Sequence, residues 1–296
     1  MKALVLIMSA NCQPALRNEE TIFNTYVKSY NDNKDLFSTE FIFIAYKGNY
    51  NEVKLNNNVL QLTSPDDIKN TFNKTLEAFE YIRNIDFDYL IRVNISTYIN
   101  LFLLDKELQN FDKNKIYCNA VCTYYNSNTL KNEVFARGDA YIIHKNLLFD
   151  ILNCNDINNL IDNGVDNTDD SMFGVLCSKY FNNKTHNNII LLNYSFIPHM
   201  IQYINSYDVK KAACVIFTRL KTCPPYTHSG YSWNDNEYRL HDVYKFKYIN
   251  NYIFNVKNKN SNIIYDDNNK RAFLANVDNK LYEVKFSDII KMNNQH

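Results

Sequence analysis

Three short runs of almost unbroken apolar residues constrain this chain more than any other feature. They lie at residues 3–9, closing on Ser9, at 41–46 (Phe-Ile-Phe-Ile-Ala-Tyr) and at 89–93 (Tyr-Leu-Ile-Arg-Val). Each is short for a buried helix and lacks the polar alternation of a half-exposed strand, so each reads as a strand covered on both faces. Between the first two, Ile22, Phe23, Tyr26, Val27 and Tyr30 recur at helical spacing. Before the third, Ile68, Phe72, Leu76, Phe79 and Ile82 fall on one helix face, with Lys74 off the stripe. Ser64-Pro65-Asp66-Asp67 ahead of that face offers an N-cap serine, a proline at the first helical position and an acid at the third. Val59, Leu60 and Leu62 suggest one more short strand. The alternation predicts an α/β domain, a mostly parallel sheet covered by helices.

The run from Asp88 to Leu101 places a possible site. Its strand passes through Asn94, Ile95 and Ser96 into a predicted helix over 97–109, with Asn94 or Ser96 as N-cap. Such a turn sits at the carboxyl edge of the sheet, where open α/β proteins bind ligands. Ser9 and Asn11 end the first strand and belong at the same edge. Arg92 interrupts a buried strand, and an unpaired charge there is costly, so a specific partner is expected.

Strand-like stretches follow at 115–125, 134–137 and 138–144, then a helix over about 145–152. Thr168-Asp169-Asp170 opens another helix, and a longer one runs from Asp235 to about Phe254. Residues 262–289 read as a hairpin turning at Asp278-Asn279. The expected organisation is one domain over 1–255 and a β-hairpin appendage over 256–296.

Bulk properties exclude several classes. Lys plus Arg and Asp plus Glu both number 32, so nothing points to nucleic acid or anionic membranes. The five glycines (Gly48, Gly138, Gly164, Gly174, Gly230) cannot build a GxGxxG or Walker loop. Seven cysteines, an odd number without a C-x-x-C, suggest a reducing compartment. The amino-terminal apolar run is too short for a signal peptide, and no segment approaches 18 apolar residues. A cytoplasmic protein without a transmembrane segment is expected. The abundance of asparagine reads as codon bias of an AT-rich bacterial or large-virus genome.

Four segments, in order, resemble GT-A-type glycosyltransferases, in particular the β-1,3-galactosyltransferase and Fringe-like pattern. Asp88-Tyr-Leu-Ile-Arg92-Val-Asn94-Ile95-Ser96-Thr97-Tyr98-Ile-Asn100 follows the central segment without a gap, with Asn94, Ile95 and Ser96 in place of its three acids. Arg137-Gly-Asp-Ala-Tyr141-Ile-Ile-His-Lys keeps one glycine and the tyrosine of a Gly-Gly-Gly-Tyr segment. Asp169-Asp-Ser-Met-Phe-Gly174-Val-Leu-Cys177 is similar to the Glu-Asp-Val-Tyr-Val-Gly-apolar-Cys element. Ile216-Phe-Thr-Arg219-Leu-Lys221, followed by Arg239 and Asp242, resembles the end of short bacterial and viral glycosyltransferases.

The resemblance implies a GT-A-like fold, a nucleotide-sugar donor, a glycan or small acceptor, and inversion with a carboxylate base. Asp170 is the first choice for that base and Asp169 the second, although acids at a helix start also simply cap it. Donor-binding candidates are Ser9, Asn11, Lys74, Arg92, Asn94, Ser96, Arg219 and Lys221. Trp233 and Tyr231 are candidate aromatic platforms for an acceptor sugar. The family's Mn²⁺ or Mg²⁺ has lost its carboxylates here, so the chain could be metal-independent; His199, His228 and His241 remain open as ligands or as ordinary structural histidines. Two rivals stand: an inactive GT-A-like module binding glycan or nucleotide, and a metal-dependent phosphohydrolase if the fold gathers the acids at 66–67, 86–88 and 169–170.

Overall fold

The computed structural model describes residues 1–126, 131–153, 168–182, 184–197, 206–222, 236–257, 262–266, 271–275 and 281–284. Along the chain these form β1 (Lys2–Met8), α1 (Ala15–Ile22), a π-helical turn (Phe23–Val27), α2 (Lys28–Asp32), β2 (Glu40–Lys47), β3 (Lys54–Asn56), β4 (Val59–Gln61) and α3 (Thr71–Ile82). Next come β5 (Tyr89–Asn94), β6 (Thr97–Ile99), α4 (Leu101–Leu108), β7 (Ile116–Cys118), β8 (Val121–Asn126), β9 (Lys131–Ala136), β10 (Ala140–His144), α5 (Lys145–Asn153) and α6 (Asp169–Tyr180). The remainder is β11 (Ile189–Leu191), β12 (Tyr194–Phe196), α7 (Ser206–Ala213), β13 (Phe217–Arg219), α8 (Asn236–Lys257) and the strands β14 (Asn262–Asp266), β15 (Arg271–Ala275) and β16 (Leu281–Val284).

Eight strands make the main sheet, in the order β11-β7-β10-β5-β1-β2-β4-β3. β1 lies between β5 and β2 and runs parallel to both, with Met8 opposite Asn94. β4 adds in parallel to β2, whereas β10 runs antiparallel to both β5 and β7. The expected α/β sheet is thus present, with antiparallel neighbours on one side of its parallel centre.

The unbroken apolar strands have a simple cause. Successive residues of a strand point to opposite faces, and here both faces are cores. Ala3, Val5, Ile7, Tyr89, Ile91 and Val93 join one cluster with residues of α1, α4 and α8. Leu4, Leu6, Met8 and Leu90 join the other with residues of α3, α5 and α6. By this alternation Arg92 occupies a position on the second face.

Several expected boundaries move. The helix placed at 97 starts at Leu101, because Thr97–Ile99 pairs as a strand with β13 and Asn100 is the N-cap, accepting from the Leu103 N–H at 3.4 Å. Neither Asn94 nor Ser96 caps it. Ser64 does not cap α3 either: a 3-10 turn over Ile68–Asn70 intervenes, capped by Asp67. The Ser64 N–H donates instead to Glu77 Oε2 at 2.9 Å, fastening the loop onto α3. The carboxy-terminal appendage is a three-stranded meander rather than a two-stranded hairpin, since β14 pairs with β15 as well as β15 with β16; Asp278 and Asn279 lie outside the described residues. No helix among the described residues is long and apolar enough to cross a membrane.

Gly174 lets β9 press against α6, since a Cβ there would lie 2.3 Å from Phe135 Cβ. Alanine normally stabilises a helix interior by about 1 kcal/mol over glycine. Gly174→Ala is expected to do the reverse, lowering stability by about 1–3 kcal/mol through overpacking. A urea denaturation curve checks the sign.

Candidate active site

The strand order reverses direction at β1. The chain builds outward from β1 through β2 and β4, then returns to place β5 on the other side. Such a switch point leaves a crevice at the carboxyl ends of the two strands. A cavity of about 690 Å³ lies there, lined by Met8, Ser9 and Ala10 at the end of β1, Asn94 and Ile95 at the end of β5, residues of the 66–74 segment and Arg239 of α8. The Ser9 hydroxyl is buried without a hydrogen-bond partner among the described residues.

A polar hub builds one wall. Lys74, which the helical spacing sets off the apolar stripe, is buried and donates to Ser9 O at 2.8 Å and Asp66 Oδ1 at 2.7 Å. Asp66 also accepts the backbone N–H of Gly48 at 2.8 Å and of Asn11 at 2.6 Å. One carboxylate thereby ties the ends of β1 and β2 to α3.

A second hub lies beneath β5. Arg92 has no exposed surface and donates to Gly138 O and Asp169 Oδ2, with Met8 Sδ 3.0 Å from Nη2. Burial disfavours the guanidinium charge, but the Asp169 carboxylate reverses this and raises the Arg92 pKa. Burial pushes the Asp169 carboxyl up to about 6, against the opposing charge of Arg92. The expected partner of Arg92 is therefore Asp169. Gly138 makes this approach easy, because a Cβ would come within 3.2 Å of Asp170 Cβ and 3.3 Å of Arg92 Nη1, close enough that both would have to give slightly. Asp170 is half-buried and accepts the Gly138 N–H through Oδ2 and the Ser171 N–H through Oδ1, both at 3.1 Å. Three of the segments that carry the glycosyltransferase resemblance thus converge on one guanidinium.

A third group joins β10 to the chain's later half. The Asp139 backbone carbonyl accepts the Asn94 N–H at 3.0 Å and the Thr97 hydroxyl at 2.9 Å. Its carboxylate pairs with Arg219 at 2.6 Å and Arg137 at 3.0 Å. Asp242 of α8 holds Arg239 and accepts both the N–H and the hydroxyl of Thr222 at 2.7 Å. Burial lowers the Arg219 pKa; Asp139 opposes this, and Arg239 and Arg137 add to it.

These placements sort the expected donor residues. Ser9, Lys74 and Asn94 line the cavity, and Asn11 borders it through Asp66. Ser96 is buried under the edge with its hydroxyl unpartnered among the described residues, while its carbonyl accepts the Leu220 N–H at 2.8 Å. Arg92 faces the second core instead of the cavity, because its guanidinium is taken up by Asp169 and Gly138. Arg219 is likewise buried against Asp139, and neither Arg219 nor Lys221 lines the cavity. Trp233, Tyr231, His199 and His228 lie outside the described residues. Spacing gave Asp66 only as a helix-start acid or a phosphohydrolase acid, and it missed Asp139 and Asn119. Asn119 is 1% exposed with both side-chain amide atoms unpartnered among the described residues, and its only sequence signal is its place directly after β7.

The acids do not gather as a phosphohydrolase requires. Asp86 and Asp88 sit at the opposite, amino-terminal edge, where Asp86 pairs with Lys2 Nζ at 2.7 Å and Asp88 accepts the Lys2 N–H at 2.8 Å. Among the described residues no group of three His, Cys, Asp or Glu side chains could hold a metal ion. Asn94 and Ser96 offer only neutral oxygens, poor sole ligands for hard cations. The donor set described at this edge does not fit Mn²⁺ or Mg²⁺.

No protein-family model and no curated protein sequence matches the chain. Among solved structures it is similar to a glycosyltransferase involved in the glycosylation of the major capsid of PBCV-1, at 10% identity and a TM-score of 0.42, over 82% of this chain and 99% of that one. It is also similar to the galactosyltransferase LgtC in complex with donor and acceptor sugar analogs, at 13% identity and 0.43, over 83% and 95%. The apo-form glycosyltransferase GlyE of Streptococcus pneumoniae TIGR4 matches at 10% identity and 0.40, over 87% of this chain and 64% of that one.

Removing one partner of a buried ion pair strands the other charge and typically costs about 3–5 kcal/mol. Arg92→Met and Asp169→Asn are each expected to destabilise on that scale, and the double variant by clearly less than their sum. A double-mutant cycle by chemical denaturation checks this; strict additivity would mean that the two groups do not interact.

Proposed function

We propose that this chain is a GT-A-type glycosyltransferase that moves a sugar from a nucleotide diphosphate donor to a glycan or small acceptor. The observation that carries this reading is the cavity at the β1/β5 switch point, which lies directly after the strand of the gapless resembling segment. Its volume is of the order that small-molecule and cofactor pockets occupy, roughly 300–1,000 Å³. Ser9 and Asn94 supply polar groups for the nucleoside part of the donor.

Asp170 is the acceptor-side base in this reading. Its two backbone contacts leave lone pairs for an incoming hydroxyl, and the start of α6 favours negative charge there. Asp169, engaged by Arg92, positions it from below. In the inverting reaction the acceptor oxygen attacks the anomeric carbon as the bond to the diphosphate breaks. Asp170 takes the hydroxyl proton, and the nucleoside diphosphate leaves with the bonding pair. The expected setting is cytoplasmic.

Two measurements test this. Nucleoside diphosphates and nucleotide sugars, screened by thermal shift with and without Mn²⁺, should include one base series that raises the melting temperature; at about 100 times Kd binding adds about 2.7 kcal/mol. Asp170→Asn should keep that shift and lower transfer by about 10²–10⁴-fold. Full transfer by the variant would remove Asp170 from the mechanism. The absence of a shift with any nucleotide would leave a binding module for glycan or protein.

A further inference from the structure

Building on the donor-cavity reading, we infer that Arg239, in place of a divalent cation, binds the diphosphate of the donor. A leaving diphosphate requires positive charge close by, and the donor set among the described residues at this edge does not fit a metal ion. The more obvious cations are already engaged: Arg92 beneath β5 with Asp169, Lys74 with Asp66 and Ser9 O, and Arg219 with Asp139.

Arg239 differs from Arg92 and Arg219 in lining the cavity, from the cavity-lining Lys74 in its partners, and from Lys69, also on the cavity wall, in being buried. It lines the cavity alongside Ser9 and Asn94, although it is only 3% exposed. Its Nε is held by Asp242, and no partner among the described residues takes its two η-nitrogens. Asp242 is itself fixed by the N–H and hydroxyl of Thr222, so the guanidinium plane is set before any ligand arrives. A planar fork anchored at Nε presents its remaining N–H groups in the geometry that matches phosphate oxygens.

Behind the cavity, Arg137, Arg219, Arg239 and Lys245 meet two carboxylates, Asp139 and Asp242, in the ion pairs of this region, while the cavity wall itself carries Lys69, Lys74 and Arg239 against Asp66 and Asp67. The like charges are close enough to act on one another, since Arg239 and Arg137 both disfavour the charge on Arg219. A diphosphate at Arg239 would bring compensating negative charge to the edge where the nucleoside groups already converge.

The test is titration calorimetry in EDTA with paired probes, uridine and UDP, guanosine and GDP, adenosine and ADP, cytidine and CDP. In one pair the diphosphate is expected to bind more tightly than its nucleoside without added metal. Arg239→Gln should remove about 10–100-fold of that gain, as loss of a charged hydrogen-bonding partner does, and should leave nucleoside affinity in place as proof that the cavity is folded. Arg239→Lys, which keeps the charge and loses the fork, should retain part of the gain. The inference is overturned if the diphosphate gain appears only with Mn²⁺, or if it survives Arg239→Gln unchanged. Should the glutamine variant fail to fold, an undiminished gain in a folded lysine variant overturns it equally. A wild-type protein that binds neither member of any pair would instead overturn the donor-cavity reading itself, and this inference with it.

Discussion

A guanidinium with no exposed surface, set in the central strand pair of an apolar sheet, must be answered by charge and by hydrogen-bond acceptors or the strand cannot be buried at all. The answer to Arg92 comes from two places far along the chain, the Gly138 carbonyl ahead of β10 and the Asp169 carboxylate at the start of α6. Satisfying one residue therefore docks a strand lead-in and a helix terminus onto β5. Gly138, tightly packed against Asp170 and Arg92, then gives its own N–H to Asp170. The placement of the proposed base follows from the burial of a charge beneath it.

The cavity edge obeys the same logic on a smaller scale. Asp66 gathers Lys74 and two backbone N–H groups, and Asp242 gathers Arg239 and Thr222. Each carboxylate converges donors that sequence distance would keep apart. Networks of this kind are stabilising only when nearly complete, because an unpaired polar group in a low-dielectric interior is expensive. Among the described residues the hydroxyls of Ser9 and Ser96 and the amide of Asn119, at or near the carboxyl edge, are buried without a partner, as are groups elsewhere in the fold such as Tyr26, Thr39 and Thr185. Of these, Ser9 lines the cavity, where a ligand can supply what the protein does not.

Much of this was legible beforehand. The three apolar runs announced strands covered on both faces, and the two core clusters divide their residues by parity. The charge inside 89–93 announced a partner. The polar turn after β5 announced a site at the carboxyl edge, and the cavity lies there. Less legible were the local starts. Ser64-Pro65 looked like a helix cap, and Asn94 or Ser96 looked like another, because capping signals are short and tertiary pairing outweighs them. Thr97–Ile99 became a strand only because β13, more than a hundred residues on, offered it an antiparallel edge.

The sequence by itself determined the layer architecture, since continuous apolar strands alternating with amphipathic helices are stable only as a covered sheet. It also determined that Arg92 needs a counter-charge and that the ends of β1 and β5 share an edge. Only the tertiary structure separates the cations near this edge by their partners. Arg92, Lys74, Arg219 and Arg239 are alike in a one-dimensional reading, each a basic residue in an apolar or amphipathic run. What separates them is which carboxylate each meets and what remains unbonded afterwards. That is a property of long-range contacts between side chains, and no local pattern encodes it.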